Sequence, residues 1–574
     1  MYMKKGLITN NKYWIILFAV SLLIVVWLGV TEHLFVDERR IADDVEELRF
    51  SRESGFYDKE FELSISSPGA KIYYTLDCSR PTVNSTEYTQ PIHISDASNN
   101  ENVYSMREDV SAGFCSEELI AKYSEEEESG YKAPDYKIDK CTVVRAVAVY
   151  PDGRTSDIKT ASYFVGFEGK PGYKDFNFVS LVLEPDDLFD YDDGIYVLGR
   201  HFDEFLQSDT IKQNTPLYWY QWLANYSSEY STEKVANAQF FDKNGKLLLS
   251  QKCGVDIHGG GSRGYNPKAF NLTVREEIDG NETFCEDLTG DGLYTSKYVL
   301  FTGGNDPYTK AKDLICNELT RDLSYATTRF VPYVLFLDGE YWGVYFLNDK
   351  VEKDYLKYFY GVKGSNLLMM KDYKVTIGEE EDRQIWLDDM MSVPDDLSGQ
   401  KEYNKVASQF DIDSTIDYFA SMCFIGRGRD WPNANVGMWR TKKVKSDAYS
   451  DGRWRFVFYD VNSASISENY IEYDSIGHAM EDYPMFASLM TNAGFRNKFL
   501  DRVLSLGENE YSRENVEREI EYAKNLLAEP MKYNNMRFFG GEPKDHAFMD
   551  EMAKIEEFFE ARRVYVKEMV ETYR

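Results

Sequence analysis

The chain has 574 residues, enough for two to four domains that each bury a core. Its formal net charge of −32 excludes nucleic acid and anionic lipid headgroups as main partners, because both would repel it. Aromatic residues make up 15% of the chain, 43 of them Tyr, which excludes a largely disordered protein.

Residues 1–36 read as a cytoplasmic tail and membrane anchor. Lys4, Lys5 and Lys12 precede the uncharged run YWIILFAVSLLIVVWLGV at 13–30. A run of this length just spans a bilayer as a helix. Lysines before it, with Glu32, Asp37 and Glu38 after it, predict a single-pass anchor in the cell membrane with the bulk of the chain extracellular. A cleaved signal peptide is the alternative, although no A-x-A site follows Val30. Residues 37–49 are charged and apolar at helical spacing, and are expected to form a short stalk. The seven Cys include no C-x-x-C, so no zinc ribbon or thioredoxin-type pair is expected. Cys78, Cys115 and Cys141 are the candidates for a disulfide in an oxidising compartment.

The pattern changes to period two in 50–166. FELSI at 61–65 and KIYYTL at 71–76 alternate, and CTVVRAVAVY at 141–150 ends in the turn Pro151-Asp152-Gly153. Short strands broken by turns predict a small antiparallel β-sandwich. Two segments, SGFYDKEFELSISSPGAKIYYTLDCSRPTVNSTEYTQPIHI and TVVRAVAVYPDGRTSDIKTASYFVG, resemble the β-sandwich domain at the C-terminus of chitobiase. The resemblance implies a spacer or accessory module. Exposed aromatic rings could stack on sugars, which makes cell-wall carbohydrate a candidate partner; Tyr packing in a thin core is the competing reading. Residues 95–139 are acidic and loop-like, and read as an insertion.

The body of the chain, 177–574, reads as a large α+β domain. Strands are expected at 179–183 and 194–199, and a hairpin at 235–250 about Asp242-Lys243-Asn244-Gly245. The segment GVDIHGGGSRGYNPK at 254–268 is a strand, a Gly/Ser loop and a lysine. Such a loop lets backbone N–H groups approach phosphate, with Ser262, Arg263 and Lys268 supplying a hydroxyl and positive charge. It is neither a Walker A sequence nor G-x-G-x-x-G, and a flexible hairpin tip is the bland alternative. A hairpin about Asp338-Gly339 and a helix at 351–360 ended by Gly361 follow. Residues 378–400 are acidic and are expected to be a mobile insertion. A helix at 411–424, capped by Asp411 or Asp413, delivers the chain to Gly426 and Asp430. Helices are expected at 484–504, 513–527 and 547–573, with a loop at 534–543.

The stretch 419–465 carries the chemistry. Asn435 lies five residues after Asp430, the offset between catalytic Asp and metal-binding Asn in a protein-kinase catalytic loop. Asp460 ends the apolar run WRFVFY. Phosphoryl transfer needs a carboxylate to orient the acceptor hydroxyl and hard oxygen ligands for Mg²⁺. Asp430 would do the first, and Asn435 and Asp460 the second.

IHGGGSRGYNPKAFNL, DGEYWGVYFLNDKVEKDYLKYFYG, GRDWPNANVGMWR, WRFVFYDVNSAS and MFASLMTNAGFRNKFLDRVL occur in one order. Together they resemble the spore-coat protein H (CotH) kinase-like family. The resemblance implies an atypical protein-kinase-like fold that uses ATP and Mg²⁺, with Mn²⁺ as the alternative ion, to phosphorylate Ser/Thr of surface or secreted proteins. It implies that Lys268 binds phosphate, Asp430 is catalytic and Asp460 binds metal. Asp349 stands where the family often has the Glu that pairs with this lysine, with Glu352 as a nearby substitute. Asn462 stands where the family has a second Asp at the metal strand. Three readings stay open: an anchored extracellular kinase, a pseudokinase or surface-binding protein with the same fold, and a carbohydrate-active enzyme. No paired-carboxylate motif supports the third. His258 and His478 read as hydrogen-bonding residues rather than metal ligands, and no zinc is expected.

Overall fold

A computed structural model describes residues 47–111, 131–208, 223–428, 430–463, 465–543 and 546–574. Period-two patterning builds its centre. Seven strands close into a barrel in the order Asn177–Val182, Lys234–Phe241, Leu247–Ile257, Phe270–Thr273, Lys297–Phe301, Glu340–Asp349 and Val331–Leu337. Neighbours are antiparallel except at the closure, where Asn177–Val182 runs parallel to Val331–Leu337. Alternation sorts the side chains into two cores. Val179, Leu181, Ala238, Phe240, Val255, Leu272, Leu300 and Leu335 pack on one another inside the barrel, so it is filled rather than open. The intervening Phe178, Phe241, Val334, Phe336, Val344 and Phe346 join a second core outside it.

The N-terminal β domain packs on that outer wall. Its main sheet runs Gly55–Tyr57, Lys159–Val165, Thr142–Val149, Lys71–Thr75, Thr86–Glu87, faced by the pair Phe61–Leu63 and Ile92–Ile94. The all-antiparallel expectation needs one correction: Gly55–Tyr57 runs parallel to Lys159–Val165. Leu63, Ile65, Ile72, Ile94, Val144 and Tyr163 fill the space between the layers, joined by Leu48 from the expected stalk. Phe164 points the other way. It meets Phe336 and Phe241 of the barrel at ring-centroid distances of 5.0 and 5.4 Å, and Phe56 meets Phe178 at 4.8 Å. The described part of the expected insertion is also docked. The backbone N–H groups of Val103 and Ser105 donate to the buried Glu340 carboxylate at 2.6 and 2.7 Å. A domain expected to be a spacer therefore shares a core with the body.

Beyond the barrel, a four-stranded antiparallel sheet runs Lys374–Ile377, Leu367–Lys371, Gly437–Thr441, Arg455–Val457. Alternation again splits it. Leu367, Met369, Trp439 and Val457 face Tyr355 and Leu356 of the helix Lys353–Tyr360. Leu368, Met370, Met438 and Phe456 join the large core with the helix Ile412–Phe424. C-terminal helices, ending with Arg513–Phe539 and Phe548–Tyr573, cover that core.

Several expectations are corrected. The transmembrane helix and the single-pass membrane location are not supported: among the described residues no helix is long and apolar enough to cross a membrane. The longest ones break their apolar stripe with charge every turn, as Glu514, Glu517 and Glu521 do in Arg513–Phe539. The apolar run at 13–30 lies outside the described residues, as does Cys115. Cys78 and Cys141 are buried free thiols. The expected mobile insertion at 378–400 contains the helix Arg383–Met391, held by a buried Trp386 and by the ion pairs Asp389–Arg440 and Asp382–Lys442. Its acidic residues are partners for basic residues distant in sequence, so composition alone misread them. The expected loop at 534–543 is helical to Phe539 because Asn534 and Asn535 are buried. The Asn534 side chain accepts from the Val344 N–H at 3.2 Å, so the segment has tertiary partners. Residues 194–199 form a buried turn into the helix Gly199–Leu206 rather than a strand.

The shared aromatic core makes a testable claim. Phe164→Ala removes a fully buried ring and is expected to cost about 3–5 kcal/mol. Every described Trp lies in the body. Urea unfolding followed by Trp fluorescence should therefore report a lower midpoint for this substitution in the β domain. An unchanged midpoint would mean that the two parts fold independently.

Candidate active site

The helix Ile412–Phe424 starts where Asp411 caps it, its side chain accepting from the Ser414 N–H at 3.2 Å. Its far end is closed by a residue distant in sequence. Arg562, from the last helix, donates to the carbonyls of Phe424 at 3.0 Å, Cys423 at 2.7 Å and Ile471 at 2.7 Å. A buried guanidinium satisfying a helix C-terminus fixes where the next segment begins. Burial lowers the Arg562 pKa to about 10, which leaves it charged at neutral pH. The chain then turns at Gly426, with φ 71°, where a Cβ would lie 2.6 Å from the Tyr470 carbonyl. Trp431 locks the loop, its indole N–H donating to the Tyr418 hydroxyl at 3.0 Å. His478 binds the Trp431 carbonyl, in keeping with a structural role.

This loop brings three of the expected residues together. Asp430 is half-exposed, and the Asn435 amide donates to its Oδ2 at 2.8 Å. Asn435 and Asp460 both have positive φ, 58° and 57°, uncommon for residues with a Cβ and frequent where function sets the backbone. Between the carboxylates lies Arg427, whose side chain is wholly buried. One of its terminal nitrogens is 3.5 Å from Asp430 and 3.9 Å from Asp460, while the other donates to the Ser463 carbonyl. Burial raises the Asp460 pKa; Arg427 and Lys371 pull it down, and Asp430 and Asp372 push it up. Asp372 is anchored to the same loop, its carboxylate accepting from the Val436 N–H at 3.2 Å.

The chemistry of this set fits a hard divalent cation. Asp460 and the Asn435 amide oxygen are hard oxygen donors beside the Asp430 carboxylate, and crowded carboxylates are relieved by a cation. Among the described residues no group of three or more His, Cys, Asp or Glu could hold a metal by itself. Mg²⁺ takes one or two carboxylates and fills its octahedron with phosphate oxygens and water. Asn462 is not part of the set. It is buried, donates to the Asp313 carboxylate and accepts from the Asn305 N–H at 3.1 Å.

The Gly/Ser loop is placed as expected, between the antiparallel strands Leu247–Ile257 and Phe270–Thr273. Its side chains serve the loop itself. Arg263 donates to the carbonyls of Gly259 at 2.7 Å and Tyr226 at 3.0 Å. Ser262 lies in the short 3₁₀ turn Gly261–Gly264 and is partly exposed. Lys268 is fully buried; its ammonium donates to the Arg263 carbonyl at 2.7 Å and lies 3.7 Å from the centroid of the Tyr226 ring. Burial, and then Arg263, holds its pKa well below the usual lysine value. The structure does not bring Asp349 to it. Asp349 lies opposite Tyr298, which lies opposite Leu272, four residues beyond Lys268. Its carboxylate accepts from the Thr289 hydroxyl at 3.3 Å instead. Glu352 is likewise engaged elsewhere, with Lys297 at 2.8 Å and Lys350 at 3.1 Å.

Sequence reasoning missed Arg427, Lys371, Asp372, Asp313 and Arg562. Each is a charge inside or ending an apolar stretch, which was the available signal; their partners come from elsewhere in the chain.

The surroundings of Asp349 give a pH prediction. Burial raises its pKa to about 7, with Asp291 adding to the effect. The folded state therefore keeps a proton that the unfolded chain, with a pKa of about 4, has lost. Stability should fall as pH rises through this window, from about 4 to about 7, and the effect is absent below it. Asp349→Asn can still accept from Thr289 and no longer titrates. Urea midpoints across that range should fall less steeply for the variant, and equal slopes would place the Asp349 pKa near its ordinary value.

Residues 255–566 match the family described as CotH kinase protein, and residues 61–163 match the one described as Fn3 associated. No curated protein matches the chain. The first match spans more than half of the sequence and contains the Gly/Ser loop, Asp430, Asn435 and Asp460. With its fold and this cluster in view, the chain belongs to the CotH kinase protein family and carries a separate β domain ahead of a kinase-like body.

Proposed function

We propose that this protein is an ATP-dependent kinase that phosphorylates Ser/Thr hydroxyls of a protein acceptor. The observation that carries the reading is the convergence of Asp430, Asn435 and Asp460 around the buried Arg427. Asp430 is the exposed member and would orient the acceptor hydroxyl and accept its proton. Asp460 and the Asn435 amide oxygen would hold Mg²⁺. The ion, when bound, screens the phosphate charge and stabilises what develops during transfer. Arg427 holds the two carboxylates in register from below. The Gly/Ser loop would cover the phosphates with backbone N–H groups and the Ser262 hydroxyl, with Arg263 and Lys268 shaping it.

The acceptor side is supported by a cleft that Pro432 and Asn433, of the loop that carries Asp430, help to line. Asp372, Tyr373, Trp386, Pro432, Asn433 and Tyr483 line it. Aromatic and apolar walls suit a peptide segment better than nucleic acid, which the net charge of −32 also disfavours. A binding protein without turnover is the second reading. It is favoured by Asn462, which stands in place of a second metal carboxylate and faces Asp313.

Phosphate transfer and Mg²⁺–ATP affinity, measured for wild type and two variants, separate these readings. Asp430→Asn should keep nucleotide affinity and lose transfer by at least about a hundredfold. Asp460→Asn should lose both transfer and Mg²⁺-dependent affinity. Wild type that binds Mg²⁺–ATP and transfers no phosphate would favour the binding protein. Variants equal to wild type would remove the kinase reading.

A further inference from the structure

Lys268 has its ammonium committed to the Gly/Ser loop, so the cleft needs another source of positive charge. The four-stranded sheet supplies one. Lys371 ends the strand Leu367–Lys371 and pairs with Gly437, which pairs with Val457. Asn435 lies two residues before Gly437, and Asp460 three residues after Val457. Lys371, Asn435 and Asp460 therefore leave the same end of one sheet. Strand alternation puts Lys371 on the face of Leu367 and Met369, the face turned toward the helix Lys353–Tyr360. Its ammonium lies 4.3 Å from the centroid of the Tyr459 ring, beside Asp460. Among the described residues it makes no hydrogen bond and no ion pair, although the side chain is largely buried. A partly buried cation with a ring on one side and no hydrogen-bonded counter-ion can receive an anion.

We propose that Lys371, with Lys350 beside it, is the cation that receives the phosphates of the nucleotide; this rests on the kinase reading above. Lys350 acts on Lys371, and both act on His258, at the foot of the Gly/Ser loop. Lys371 is thus within electrostatic reach of both the foot of the loop and Asp460. A triphosphate there would meet ammonium groups on one side and, on the other, the cation that Asp460 and Asn435 would hold, which matches its charge. Lys350 is ion-paired with Glu352 at 3.1 Å, whereas Lys371 is in no ion pair, so Lys371 has more to gain from an anion.

The test uses the full chain and an acyl-phosphate ester of ATP. A lysine at the phosphates attacks the acyl carbonyl, forms an amide and releases ATP. Peptide mapping should find the label on Lys371, with Lys350 next, and excess Mg²⁺–ATP should suppress it. In parallel, Lys371→Met should weaken Mg²⁺–ATP binding, read by calorimetry, by at least about tenfold, and Lys371→Arg should restore most of it. Thermal unfolding of each variant separates loss of the site from loss of the fold, and the labelling arm needs no variant. Label on Lys268 with Lys371 untouched, or full affinity in a folded Lys371→Met, would overturn this assignment and leave the kinase reading standing. Wild type that binds no Mg²⁺–ATP would remove the kinase reading and this assignment with it.

Discussion

A single buried guanidinium holds the site together. Arg427 lies under Asp430 and Asp460, and its other terminal nitrogen binds the carbonyl of Ser463. Two carboxylates placed that close repel each other and raise each other's pKa, and a buried charge without compensation is costly. One cation shared between them removes much of both costs. It also ties the loop after the helix Ile412–Phe424 to the segment after the strand Arg455–Val457, so two parts of the chain that arrive from different directions end at a common point.

The surrounding structure makes that arrangement rigid. Arg562 caps the helix that leads into the loop, from a distance of 138 residues in sequence. Asp313, buried on the helix Lys312–Thr320, accepts from the N–H of Val461 at 3.0 Å and from Asn462, fixing the segment that carries Asp460. Burial raises the Asp313 pKa to about 7, so its protonation and the backbone at Asp460 are linked. The β domain contributes indirectly, through Phe164 and Phe56 packed on the barrel wall and through Glu340, which binds the inserted segment.

The two lysines illustrate how burial decides what a charge can do. Lys268 follows the Gly/Ser loop in sequence, where a phosphate ligand is expected, yet its ammonium is consumed by backbone carbonyls and an aromatic face. Lys371 has no motif around it, yet the sheet carries it to the end where Asn435 and Asp460 emerge. Availability, rather than proximity to glycines, distinguishes them.

Local patterning determined a good part of this protein. Alternation marked the hairpin Lys234–Phe241 with Leu247–Ile257, and the turn at Asp338-Gly339 joins Val331–Leu337 to Glu340–Asp349 as read. The Asp411 cap and the Gly361 stop, with φ 66°, bound their helices as expected. The Asp430–Asn435 spacing also survived as contact, because five residues in one turn cannot separate far. What the tertiary structure decided is every partnership made across the chain. Asp349 and Lys268 stand in suggestive motifs, but barrel register places them at different levels, with the strand Lys297–Phe301 between them. The acidic residues 378–400 read as a mobile insertion, but Arg440 and Lys442 pair with Asp389 and Asp382 there. Arg427, Lys371 and Arg562 acquire their meaning from Asp460, Tyr459 and the Phe424 carbonyl, groups far from them in sequence. A charge in a sequence states only its sign; its environment, and hence its chemistry, is set by what folding places against it.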